Sequence, residues 1–194
     1  MKPDLTRERI LLYHLPADSE KGRLVRQAIG ALHIHAVDIR PDQLSQTVGH
    51  CAGLHGFGPN DHPAPVEPVN EEALIMSGLS DEKINQLLGL LRKTGAGQIG
   101  LMAVVTEYNR SWPVAQLITE LQRERRVMAF WFSLQSTVKA AQALQDAGHF
   151  TTADPAGADA FQAALADAKG ILSAQEPPEP EAIQAADATL KAFL

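Results

Sequence analysis

The chain has one cysteine, few aromatic residues (5%) and fewer basic than acidic side chains, 17 against 23. Each shortage excludes something. A single thiol cannot close an internal disulfide, so stability must come from a core, as in proteins of reducing compartments. A net charge of −6 has the wrong sign for a phosphate footprint, which argues against nucleic acid as a partner. The only basic cluster, Arg123-Glu124-Arg125-Arg126, reads as a solvated helix face. No apolar run approaches the roughly 18 residues of a membrane span. The opening MKPDLTRERILLYHLP has a short apolar patch broken by His14 and Pro16. No secretory leader is read there, and the cytoplasm is the expected location. Phosphate-binding fingerprints of the G-x-x-x-x-G-K-[ST] or G-x-G-x-x-G type are missing as well. The glycine-rich TGAGQIG (Thr94–Gly100) falls between a helix and a strand, whereas a phosphate cradle needs the opposite order.

What is present suffices for a core: hydrophobic residues make up 45% of 194, ordinary for a globular protein. Ile10–His14, His33–Ile39, Ala73–Met76 and Ile99–Thr106 read as strands. Between them lie helical patterns. Asp18 or Ser19 is placed to cap the first, which carries Leu24, Val25, Ala28 and Ile29. Asp42 is placed to cap a second, with Leu44, Val48 and Cys51 on one side. Ser80 caps a third, which Gly95 ends. Ser111-Trp112-Pro113 opens a fourth. Residues 53–70 read as a long loop.

Alternating apolar strands and helices imply an α/β domain: a small doubly wound sheet of four mainly parallel strands, order 2-1-3-4, covered on both faces. A ferredoxin-like arrangement with the second helix as an insertion is the alternative. No Gly or Pro interrupts Pro113–Ala147, so the fourth helix is expected to run on for about 50 Å at 1.5 Å per residue. Its later stripe is Val127, Trp131, Leu134, Val138 and Ala141. Further stripes follow at Phe161, Leu165 and Ala168 and at Ile183, Ala186 and Leu190. They predict a C-terminal antiparallel three-helix bundle over 126–194, after an α/β domain over 1–125. No repeat of fixed period is visible.

Four blocks, ILLYHLP, TVGHCAGLHGF, EEALIMSGLSDEKINQLLGLLRKTG and LMAVVTEYNRSWPVAQLITELQRE, resemble in order and spacing a bacterial family known as domain of unknown function 3783, over about residues 10–125. The resemblance implies a boundary for the α/β domain and assigns no activity. Two departures stand out: Thr106-Glu107 where the family pattern has Thr-Pro, and Met102 where it has a lysine. The C-terminal FQAALADAKGILSAQEPPEPEAIQAADATLKAFL is weakly similar to small helical-hairpin modules.

Three groups of residues are candidates for function. GHCAGLHGFGPNDH gathers His50, Cys51, His55 and His62. These are zinc-type ligands, but at a spacing that points adjacent ligands to different sides, so the expected reading is packing plus a loop and no metal. His33 and His35 likewise lack a third ligand. Ligands of open parallel sheets bind outside the carboxyl ends of the strands. That rim gathers His14, Ser77, Gly78, Thr106, Asn109 and Trp112, with His14 and Ser77 on neighbouring strands, the elements of an activated hydroxyl. Without an orienting third group the reading stays with ligand binding, and no cofactor is implied. Finally, Met128, Phe130, Trp131 and Phe132 make one helix apolar all round, which points to a protein partner or a homodimer. The leading expectation is a non-enzymatic protein-binding or self-association module. The alternative is a small-molecule site or enzyme at the rim.

Overall fold

A computed structural model describes residues 8–61, 66, 69–148, 155–175 and 178–194. The described chain divides into two compact units, Met1–Leu121 and Gln122–Leu194. The first unit contains β1 (Arg9–Tyr13), α1 (Glu20–Gly30), β2 (His35–Ile39), a short 3-10 turn (Pro41–Gln43), α2 (Val48–Cys51), β3 (Ala73–Ser77), α3 (Asp81–Thr94) and β4 (Leu101–Val104). α4 (Val114–Asp146) begins here and continues without a break into the second unit.

The sheet has the order β2-β1-β3-β4, but it is mixed. β1 runs parallel to β2 and β3 to β4, while β1 and β3 are antiparallel, with Arg9 opposite Ser77 and Tyr13 opposite Ala73. The expectation of a mainly parallel sheet is therefore corrected. A parallel crossover needs an element long enough to carry the chain back along the strand. α1 and α3 are that long. The expected second helix is only four residues, about 6 Å of rise, and the chain returns to the sheet at the end it left. Asp42 does not cap it. Asp42 lies in the 3-10 turn, paired with Arg40, and Thr47 is the cap, accepting from the His50 N–H. Nor is the sheet ferredoxin-like, because each βαβ unit is unsplit.

The strands are apolar on both sides, and the two sides bury different sets. Ile10, Leu12, Leu74 and Met76 lie under α1 and α3. Leu11, Tyr13, Ala73 and Ile75 pack with α2 and the start of α4. Each fully buried Leu or Ile contributes about 1.5–3 kcal/mol relative to exposure. Ser19 and Ser80 cap α1 and α3 through their hydroxyls, and Gly95 ends α3 at φ 74.

The topology carries a two-fold relation that the amino-acid sequence does not show as a repeat. Two βαβ units meet at the antiparallel β1/β3 pair, centred on Leu11 opposite Ile75. β1 is followed by His14 at φ 54 and β3 by Gly78 at φ 70, each followed by a leucine. The segments leading into α2 and α4 also pair, Thr47 bridging Pro113. They exchange caps. The Val48 and Gly49 N–H groups donate to the Trp112 and Arg110 carbonyls, and those of Val114 and Ala115 donate to Gln46 and Leu44. Two helix starts thus satisfy each other's orphan donors.

The second unit holds the rest of α4, with α5 (Pro155–Leu172) and α6 (Pro180–Lys191). Leu134 and Ala141 of α4, Phe161 and Leu165 of α5, and Ile183 and Leu190 of α6 share one buried cluster. Inside this unit Asp187 is 7% exposed and accepts from Thr137 Oγ1 at 2.5 Å, Ser133 Oγ at 2.7 Å and Lys191 Nζ at 2.7 Å. Burial alone would raise this carboxyl. The hydrogen bonds from Lys191, Thr137 and Ser133 outweigh burial and hold it below the ordinary value.

Candidate functional site

A mixed sheet has no single carboxyl rim, and the rim residues expected from the sequence divide between its two ends. His14 follows β1 beside the start of β3. Ser77 ends β3 beside the start of β1. Ser77 is level with Arg9, five residues before His14, about 16 Å at 3.3 Å each, so His14 and Ser77 are not brought together. Ser77 is fully buried, and among the described residues its hydroxyl has no hydrogen-bond partner. Thr106 and Asn109 spend their polar atoms on their own turn. Asn109 Oδ1 accepts from the Thr106 N–H at 2.8 Å, Thr106 Oγ1 accepts from the Asn109 N–H at 3.3 Å, and Asn109 Nδ2 donates to the Val104 carbonyl at 3.0 Å. Trp112 packs on the core edge-on to Tyr108. This end of β3 and β4 is built as a turn.

The histidine-rich stretch is built around a ring. Phe57 lies against Gly49 so closely that a Cβ there would fall 2.6 Å from the ring. The Arg110 guanidinium sits 6.0 Å from the centre of that ring. The Phe57 carbonyl meets His50 Nδ1 at 3.4 Å. Cys51 faces the core, where burial pushes its thiol up to about 11. His55 is exposed, and His62 lies outside the described residues. His33, in a turn at φ 55, and His35, in β2, are both exposed. Among the described residues no three His, Cys, Asp or Glu side chains come together to hold a metal.

The first unit also presents two concave surfaces that bear on function. One is a cleft of about 470 Å³ at the carboxyl ends of β1 and β2, lined by Tyr13, His14, Pro16, Asp38, Ile39 and Arg40 among others. His14 occupies the left-handed region there, which costs a non-glycine residue roughly 1–2 kcal/mol. Arg40 and Asp42 pair across the lip, at 3.0 Å. The pairing raises the guanidinium and lowers the carboxyl from their ordinary values.

The other is a groove of about 540 Å³ between the end of α3 and β4, lined by Leu88, Leu91, Ile99 and Met102 with Arg92 on its rim. It continues onto the side chains of an edge strand. Met102 is 40% and Val104 37% exposed. They stand on the α1/α3 side of the sheet, beside Leu74 and Met76. At the opposite edge the corresponding face of β2 carries Ala36 and Asp38, the latter ion-paired with Arg26 of α1. One edge is guarded by charge, and the other presents bare thioether and isopropyl groups. The expected order 2-1-3-4 already puts β4 at an edge; that this face of it stays exposed is not readable from LMAV alone.

On α4 the four expected contact residues divide. Phe130 and Trp131 are partly buried on the cluster of the second unit. Met128 and Phe132, four apart and so on one helix face, are 50% and 61% exposed.

A family model described as "Domain of unknown function (DUF3783)" matches residues 72–128. The match spans the second βαβ unit and the first part of α4 and leaves the first βαβ unit outside. The chain is similar to that family over those residues, which hold nearly all of the last two sequence blocks quoted above; ILLYHLP and TVGHCAGLHGF lie outside the match. No curated protein and no solved structure matches the chain. Among the described residues no helix is long and apolar enough to cross a membrane.

Proposed function

We propose that the protein is a non-enzymatic, cytoplasmic module that binds another polypeptide through the uncovered edge of its sheet. The observation that carries this reading is the exposure of Met102 and Val104 on a strand face continuous with an apolar groove. Soluble proteins keep such edges short, charged or covered, and contiguous apolar surface rimmed by polar groups marks contact sites. Met128 and Phe132 extend the same argument to the second unit, which we read as an antiparallel three-helix bundle that follows, in the chain, an α/β domain ending near residue 125. A photo-reactive side chain installed at position 104 of the full chain should yield polypeptide adducts. The same group at Asp38, on the matching face of the guarded edge, should not. Equal labelling at both positions would overturn the reading.

A second reading, a small-molecule site, is favoured by His14, whose strained backbone lines the β1/β2 cleft, because such outliers cluster at functional sites. Metabolites that raise the melting temperature of the native chain but not of His14→Gly would establish it. A screen without such a compound would remove it.

A further inference from the structure

Resting on the edge of β4 as the docking surface, we infer that its occupant is an amphipathic helix of another protein, with apolar anchors in the groove and carboxylates at the end that meets Arg92 and Lys93. Strand addition is disfavoured at this edge. β4 is four residues long, and the Val104 carbonyl is already taken by Asn109 Nδ2. What is free is the side-chain face. α1 and α3 pack side by side over the inner strands. A further helix lying next to α3 would complete that layer over Met102 and Val104, the helix-in-groove mode of recognition.

The charge of the occupant follows from the rim. Arg92 donates its Nε to the Leu88 carbonyl at 3.1 Å, and among the described residues no carboxylate pairs with it. Lys93 is exposed beside it at the end of α3. Lys21 and Glu72 face the Gln98 side of the groove as an ion pair and cancel. The carboxylates of this face, Asp81 and Glu82, stand at the far end of α3, and Glu107 follows β4 at that same far end. A chain of net charge −6 thus places Arg92, unpaired with any described carboxylate, on the rim of this apolar groove, with exposed Lys93 next to it at the end of α3. Over a screening length of about 8 Å at physiological salt, those two outweigh the distant negative charge. Carboxylates in the first turn of the bound helix also complement its own dipole.

The test uses the full chain and two synthetic amphipathic peptides with identical leucine stripes. One carries glutamates in its first turn and the other carries lysines. Fluorescence anisotropy at low salt should show the glutamate peptide binding about ten-fold more tightly, with the gap closing as salt rises. The double variant Arg92→Glu, Lys93→Glu should reverse the preference, and Met102→Lys should weaken both peptides. Binding that depends on Met102 but ignores peptide charge would overturn the acidic occupant and leave the docking surface standing. A dimer by light scattering that Met102→Lys dissociates, with no peptide binding, would assign the groove to a second copy and overturn the inference. A monomer that binds neither peptide would overturn the inference, and if position 104 also failed to crosslink, the docking surface with it. Circular dichroism on each surface variant separates these outcomes from misfolding.

Discussion

Single residues explain much of what looked like chemistry in this chain. Cys51 is a core thiol pushed up to about 11 by burial, so it stays protonated at neutral pH and presents no nucleophile. Alkylation at pH near 8 should be slow in the native chain and fast in denaturant, and equal rates would show the packing to be wrong. Gly49 exists for Phe57. An alanine there must displace a ring whose carbons stand 2.6–2.8 Å from the new Cβ, and Gly49→Ala should destabilise by about 1–3 kcal/mol in urea unfolding. Two other substitutions should go the opposite way. His14→Gly relieves a left-handed backbone and should gain up to about 1 kcal/mol, net of the entropy glycine adds to the unfolded chain. Ser77→Ala removes a buried hydroxyl that no described group satisfies and should be neutral or stabilising by about 1 kcal/mol.

At the scale of elements, the apolar runs and the serine caps were legible because their signals are local. All four strands form where the pattern puts them, as do the caps at Ser19 and Ser80 and the stop at Gly95. Direction was not legible. Whether β3 runs with or against β1 depends on where the chain re-enters the sheet after the long segment that follows α2, and no local pattern encodes that. The edge place of β4 was legible in the expected order 2-1-3-4, but not the exposure of Met102 and Val104 on its α1/α3 side. The polar cluster of the second unit also went unread, because Ser133, Thr137 and Asp187 look like surface residues until α4 and α6 are packed. Its consequence is a pH dependence. The folded carboxyl titrates below the ordinary value of 3.8, so its contribution is complete above that value and disappears as the pH falls through the folded value. Melts of the second unit should therefore fall off in acid. Asp187→Asn should flatten that fall, and Asp187→Ala should cost about 1–2 kcal/mol at neutral pH by removing the acceptor that Ser133, Thr137 and Lys191 share.

At the scale of the whole molecule, the two units have separate cores and separate natural reporters, Trp112 in one and Trp131 in the other. Phe161→Ala should cost the second unit about 3–5 kcal/mol. In single-tryptophan backgrounds the Trp131 fluorescence transition should move by most of that amount and the Trp112 transition by much less. Matching shifts would show one cooperative block.

The antiparallel seam between β1 and β3 has a consequence for biosynthesis. β1 gains β2 as soon as the first βαβ unit leaves the ribosome, but its other flank stays bare until Ser77 follows, a delay of a few seconds at roughly 5–20 residues per second. Through that interval a nascent chain offers an open hydrogen-bonding row to its polysome neighbours. Codon choice between residues 40 and 77 therefore sets how long the row stays open to misassembly.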